Sequence, residues 1–169
     1  MLVNFKFKNF RSFYGETTMS MEATKDDTMR EINTFFVDEN IMTKRDGELL
    51  KSAIIFGGNA SGKSNVIKAL AYMKNVITLS AAQIPIVQQN EAFAFYENAG
   101  EEDSLFEVEL VFNNIFYKYG FILNGGLVKE EWLEKRVERL STVFKRREKK
   151  LEIVGADKAK EKLINLAPE

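Results

Sequence analysis

Ala53, Ile54, Ile55 and Phe56 form a continuous apolar run that leads directly into Gly57-Gly58-Asn59-Ala60-Ser61-Gly62-Lys63-Ser64. The octet matches G-x-x-x-x-G-K-[ST] at every required position. Such a loop needs a strand to deliver it and a helix to leave from it, so residues 53–56 are expected to be a central strand buried on both faces. Glycines let the backbone curl close to an anion, while successive N–H groups and the positive end of the following helix face that anion. The ligand this implies is the phosphate chain of a nucleoside triphosphate, expected to be ATP with Mg²⁺. Gly57, Gly58, Asn59, Ala60, Ser61 and Gly62 would form the cradle. Lys63 is expected to reach the β- and γ-phosphates as the catalytic cation, and the Ser64 hydroxyl to ligate Mg²⁺.

The rest of the chain arranges itself around this loop. From Ser64 to about Ser80, Val66, Ile67, Leu70, Met73, Ile77 and Leu79 recur at helical spacing, and Pro85 bars continuation. Val3, Phe5 and Phe7 alternate with Asn4, Lys6 and Lys8, and Met19 and Met21 alternate with polar neighbours, which predicts two half-buried strands joined around Gly15. Residues 24–50 are polar apart from Phe35, Phe36 and Val37, so a loop region with one strand is expected there. Phe106, Val108, Leu110 and Phe112, then Ile115, Tyr117, Tyr119, Phe121 and Leu123, flank Asn113-Asn114 and predict a hairpin with a two-residue turn. Asn124-Gly125-Gly126 marks a second turn. Leu127 to Phe144 is ambiguous, because Leu133, Val137, Leu140 and Phe144 also fit a helix. Ala156 to Leu166 reads as a short helix.

A chain of 169 residues, 45% hydrophobic, fits one domain spanning 1–169. With no Cys and no His, disulfides, thiol chemistry, the common zinc ligand sets and an imidazole base are all excluded. The net charge of -1 gives no general basic field to attract nucleic acid. Nothing reads as a signal peptide or membrane span, so a cytoplasmic location is expected.

Asn9-Phe10-Arg11-Ser12-Phe13 after the first strand, the loop with its Asn59-Ala60-Ser61 interior, and Asn65-Val66-Ile67-Lys68-Ala69 beyond it resemble the N-terminal half of ABC/SMC-type ATPases. The likeness is to AAA-annotated proteins near the RecF and OLD (overcoming lysogenization defect) families. Tyr117-Lys118-Tyr119-Gly120-Phe121 and Glu130-Glu131-Trp132-Leu133 carry it to about Phe144. Ala60 stands where many relatives have Gly. The resemblance implies an α/β P-loop NTPase fold: the N-terminal lobe of an ATPase head, with a mixed, largely antiparallel sheet packed on the helix after Lys63. It favours strands over a helix for Leu127 to Phe144, giving strand-rich hairpins at about 105–154. It also adds Asn65 and Arg11 to the nucleotide-binding residues.

Relatives carry a signature motif and, well C-terminal to the helix, an apolar strand ending in Asp-Glu; neither is found in this sequence. Phe35-Phe36-Val37-Asp38-Glu39 mimics the acidic strand but precedes the loop, and Ile153-Val154-Gly155-Ala156-Asp157 lacks a long enough apolar strand. A γ-phosphate-sensing glutamine is not identified, since no Gln follows Gln89. The resemblance therefore implies that ATP hydrolysis needs a homodimer, a C-terminal lobe or a partner chain, with DNA or an effector protein as a further partner and anti-phage defence or DNA transactions as the setting. A non-hydrolysing regulatory subunit is the alternative. A small P-loop kinase ranks last, because two strands precede the loop here. The basic run Lys145, Arg146, Arg147, Lys149 and Lys150 reads either as a phosphate-backbone contact or as a solvated turn.

Overall fold

A computed structural model describes residues 1–25, 28–37, 47–79, 91–147 and 150–154. Seven strands form one sheet in the order β2-β1-β5-β6-β7-β8-β9, from β1 (Leu2–Lys8), β2 (Thr17–Ser20), β5 (Ser104–Phe112), β6 (Ile115–Asn124), β7 (Leu127–Arg136), β8 (Leu140–Arg147) and β9 (Lys150–Ile153). A short helix, α1 (Arg30–Asn33), leads into a two-stranded sheet of β3 (Thr34–Phe36) and β4 (Glu48–Leu50), and α2 (Lys63–Leu79) follows the glycine loop. Apart from the long connection between β1 and β5, neighbouring strands in the main sheet follow one another in sequence, as hairpin-linked antiparallel strands do.

Period-two alternation builds the core. Phe5 pairs with Val108, and Phe7 with Phe106, which in turn pairs with Phe121. All of these side chains are buried, and with Leu123 they meet Val66, Ala69, Tyr72, Met73 and Val76 of α2. Tyr72 stands 5.1 Å from the Phe106 ring and 5.7 Å from that of Phe10. The intervening positions face the other way and are polar. Asn4 donates to Glu22 and Glu109, and the buried Glu107 carboxylate is flanked by Lys6 at 3.7 Å and Lys118 at 3.2 Å. A smaller cluster of Val3, Val37, Leu49, Val111 and Phe116 seats β3 and β4.

Three expectations are corrected. Ala53–Phe56 is not a strand: residues 52–58 have no regular structure, and Ile54 and Phe56 are 76% and 86% exposed. A central parallel strand exists only between flanking strands, and among the described residues no strand lies against this segment. For the same reason the main sheet is antiparallel in every pairing rather than mixed. Thirdly, the buried stripe of α2 is rotated from the one read in sequence. Ala69, Tyr72 and Val76 are inside, whereas Ile67 and Ile77 are exposed. Leu127–Arg136 and Leu140–Arg147 are strands, so the helical spacing of Leu133, Val137, Leu140 and Phe144 is incidental. Asp38, Glu39, Gln89 and the expected helix from Ala156 to Leu166 lie outside the described residues. No helix among the described residues is long and apolar enough to cross a membrane.

Candidate functional site

The loop's shape follows from its glycines. Gly62 holds φ +90°, and a Cβ there would meet Ser12 Oγ at 2.8 Å; a Cβ on Gly57 would meet Ser61 Oγ at 2.6 Å. Ala60 is also left-handed, at φ 61°, although an L side chain pays roughly 1–2 kcal/mol for that conformation. Ser61 N–H donates to Gly58 O at 3.3 Å, and Asn65 N–H to Gly62 O at 2.8 Å, closing the turn into α2. Lys63 opens that helix. Its ammonium folds back across the loop, donating to Gly57 O at 2.8 Å and Gly58 O at 2.6 Å. Ser64 is exposed one residue further on. The first N–H groups of a helix lack intrahelical acceptors, so this end of α2 presents donors and a partial positive charge.

A second element closes on the loop from the far side of the sequence. After β1 the chain makes a tight turn in which Phe10 N–H donates to Phe13 O at 2.8 Å and Phe13 N–H to Phe10 O at 2.9 Å. Asn9, wholly buried at φ 54°, fixes this turn. Its Nδ2 donates to Ala99 O at 2.7 Å, its Oδ1 accepts from Phe93 N–H at 3.0 Å, and its carbonyl accepts from Ser104 Oγ at 2.9 Å. Ser12 accepts from Asn65 Nδ2 at 2.9 Å, which ties the turn to the start of α2. Arg11 N–H donates to Glu91 O and Ala94 N–H to Arg11 O, each at 2.8 Å, so residues 91–94 run beside the turn. The Arg11 guanidinium pairs with the Glu91 carboxylate, and its buried Nε is unpartnered among the described residues.

These pieces line one open cleft of about 500 Å³, formed by Ala60 to Asn65 from the loop, Arg11 and Ser12 from the turn, and Glu91, Ala92, Ala94 and Phe95 from the segment beside it. That volume suits a small-molecule ligand, for which clefts of roughly 300–1,000 Å³ are usual. Ala60, Ser61, Gly62, Lys63, Ser64, Asn65 and Arg11 all line it. Gly57, Gly58 and Asn59 lie just upstream and are exposed, with the two glycine carbonyls holding the Lys63 ammonium. The donor set, a lysine, an arginine, a hydroxyl and a helix N-terminus, fits a phosphate chain, and the hydroxyl beside it fits a hard cation such as Mg²⁺. Ser12, Glu91 and Phe95 were not singled out as ligand-site residues in the sequence.

Residues 52–164, about two thirds of the chain, match the family model described as "AAA domain, putative AbiEii toxin, Type IV TA system". The chain belongs to this family. It is therefore a P-loop AAA-type ATPase domain, and the loop of residues 57–64 lies within the matched segment. No curated protein matches the chain at a significant level. The AAA domain matched here takes in the glycine loop, α2 and the strands β5 to β9, while Arg11 and Ser12 precede it.

Acidic side chains on the sheet of this AAA domain tie its strands together. Among the described residues no three of them gather as a metal site. Glu131 accepts from Tyr119 Oη at 2.7 Å and pairs with Arg146 at 2.7 Å, joining β6, β7 and β8. Glu130 faces Lys145 at 4.0 Å and Arg147 at 3.5 Å. Three cations of the basic run thus have carboxylate partners within the sheet, which weakens its reading as a nucleic-acid contact; Lys149 lies outside the described residues.

Proposed function

We propose that this chain is the nucleotide-binding lobe of an ATPase head of the ABC/SMC type. It grips MgATP and turns it over once a further lobe, a second copy or a partner chain completes the site. The observation that carries this reading is the convergence of the glycine loop, Lys63, Ser64 and Arg11 on one cavity. On binding, the γ- and β-phosphate oxygens would take over the Lys63 ammonium from the Gly57 and Gly58 carbonyls. The loop and helix N–H groups would hold the remaining oxygens, and Arg11 would add positive charge from the turn after β1. Ser64 would supply a metal ligand; the Mg²⁺ it holds neutralises charge on the phosphates.

The exposed Ala53–Phe56 segment, together with Ile67 and Ile77 on the outer side of α2, supports the need for a further lobe or chain, because these are apolar surfaces that a partner would cover. The resemblance to RecF and OLD proteins favours a setting in anti-phage defence or DNA transactions, with DNA or an effector protein as downstream target; the family description itself speaks of a putative toxin of a Type IV TA system.

Calorimetric titration with MgATP tests the reading. Wild type should bind, Lys63→Ala should bind far more weakly, and Ser64→Ala should lose the magnesium dependence more than the metal-free affinity. Equal affinity in wild type and Lys63→Ala removes the hypothesis.

A further inference from the structure

The cavity is lined by two chemically different segments. The loop contributes Lys63, Ser64 and the start of α2, all suited to charge, whereas the segment that runs beside Arg11 contributes Ala92, Ala94 and Phe95 next to the Arg11–Glu91 ion pair. A nucleoside triphosphate has the same polarity, with an anionic tail at one end and a flat, weakly polar base at the other. We infer that Phe95 is the platform on which the nucleotide's base stacks, in the same cleft as the phosphate cradle. This assignment rests on the loop binding a nucleoside triphosphate, as proposed above.

Three observations carry it. Phe95 lines the cavity yet is 83% exposed, so its ring is free to take a partner. Ala92 and Ala94, the other apolar members of that segment, have short side chains that leave access to the ring open. The segment is also held in place beforehand. Phe93 N–H is bonded to buried Asn9 and Ala94 N–H to Arg11, while the Phe93 ring packs on Tyr14 at 5.4 Å and edge-on to Phe95 at 5.6 Å. Tyr14 is itself tied through its hydroxyl to both Glu102 oxygens at 3.0 Å. The aromatic segment is therefore fixed by the same Asn9–Phe13 turn that positions Arg11, so base and phosphate subsites share one frame. Stacking on an exposed ring accepts any base, since every base has a π-face.

The test compares ligands with and without a base: MgATP, MgGTP and magnesium tripolyphosphate, each titrated into wild type, Phe95→Ala and Phe95→Trp. Base–aromatic stacking is worth roughly 1–3 kcal/mol, which corresponds to a loss of about 5- to 150-fold in affinity. Phe95→Ala should lose that much for ATP and GTP alike while holding tripolyphosphate as wild type does. Phe95→Trp should retain affinity, and its added indole should be quenched by ATP and not by tripolyphosphate. Unchanged ATP affinity in Phe95→Ala, or an equal loss for tripolyphosphate, overturns the base platform while leaving the phosphate loop intact. Failure of the loop itself has a different signature, in which tripolyphosphate and ATP bind Lys63→Ala as tightly as wild type.

Discussion

Gly62 and Ala60 share a backbone hand and differ in what surrounds them. At Gly62, φ +90° lies beyond the left-handed basin that an alanine tolerates, and Ser12 Oγ stands 2.8 Å from where a Cβ would sit. Gly62→Ala should therefore destabilise the chain by about 1–3 kcal/mol and separate the Ser12 turn from α2. Ala60→Gly relieves a left-handed alanine while freeing the unfolded chain, two effects of similar size, so its stability should stay within about 1 kcal/mol of wild type. Thermal melts of the two variants check the contrast, and a Gly62→Ala melt no lower than that of Ala60→Gly would contradict it. At this scale the loop was legible because eight consecutive residues carry the pattern. Glu91 and Phe95 were not, because each reaches the cavity across dozens of residues with no local pattern to mark it, and Ser12 stood inside the Asn9–Phe13 motif with no role assigned to it.

Turn chemistry decided which elements could be read. Asn113 and Asn114, at φ 48° and 55°, form the turn their neighbours' alternation predicts, since asparagine tolerates the left-handed basin that a two-residue hairpin demands. The strands β7 and β8 were obscured because their apolar residues fit two periods at once, and their pairing is set by cross-strand partners such as Glu131 and Arg146. The outer face of α2 misled because Ile67 and Ile77 are as hydrophobic as the residues that do pack. Gly120 in β6 has a cross-strand explanation: its partner is Trp132, and a Cβ at 120 would meet the indole at 2.4 Å and the Phe106 carbonyl oxygen at 3.1 Å. Gly120→Ala should cost about 1–3 kcal/mol, with a shift in Trp132 fluorescence, and an unchanged spectrum and melting temperature would disprove that fit. Tyr119 on the same strand has its phenol pushed upward by burial, then by the Glu131 carboxylate and the hydrogen bond to it. A raised folded value favours the neutral phenol, so this stability is fully present below the ordinary value of 10.0 and is lost as pH rises above it. Burial raises Tyr72 in the same direction. Melting temperature should fall above about pH 10, and Tyr119→Phe should flatten that fall while costing about 1 kcal/mol at neutral pH. An identical alkaline slope in the variant would exclude Tyr119.

Taken whole, the molecule presents a phosphate loop beside an antiparallel sheet, and the carboxylate that lines the cavity there, Glu91, is paired with the Arg11 guanidinium. Positioning an in-line water and stabilising charge on the transferring phosphoryl group require more than grip and a single metal ligand. The purified chain should therefore release phosphate from ATP slowly or not at all across a wide concentration range, with turnover appearing when a C-terminal segment or partner is added. Steady turnover by dilute monomer, abolished in Lys63→Ala, would overturn this. Lack of turnover even with a partner would instead favour the non-hydrolysing regulatory role. The exposed run from Ala53 to Phe56 has a consequence for the living cell as well. Exposed apolar chain is what quality-control machinery recognises, so if a partner covers this run, as proposed above, a copy left without one should be held by chaperones or degraded, while a covered copy persists. The residues that deliver the loop would then also set the protein's half-life, and the abundance of the assembly would follow whichever component is made in the smaller amount.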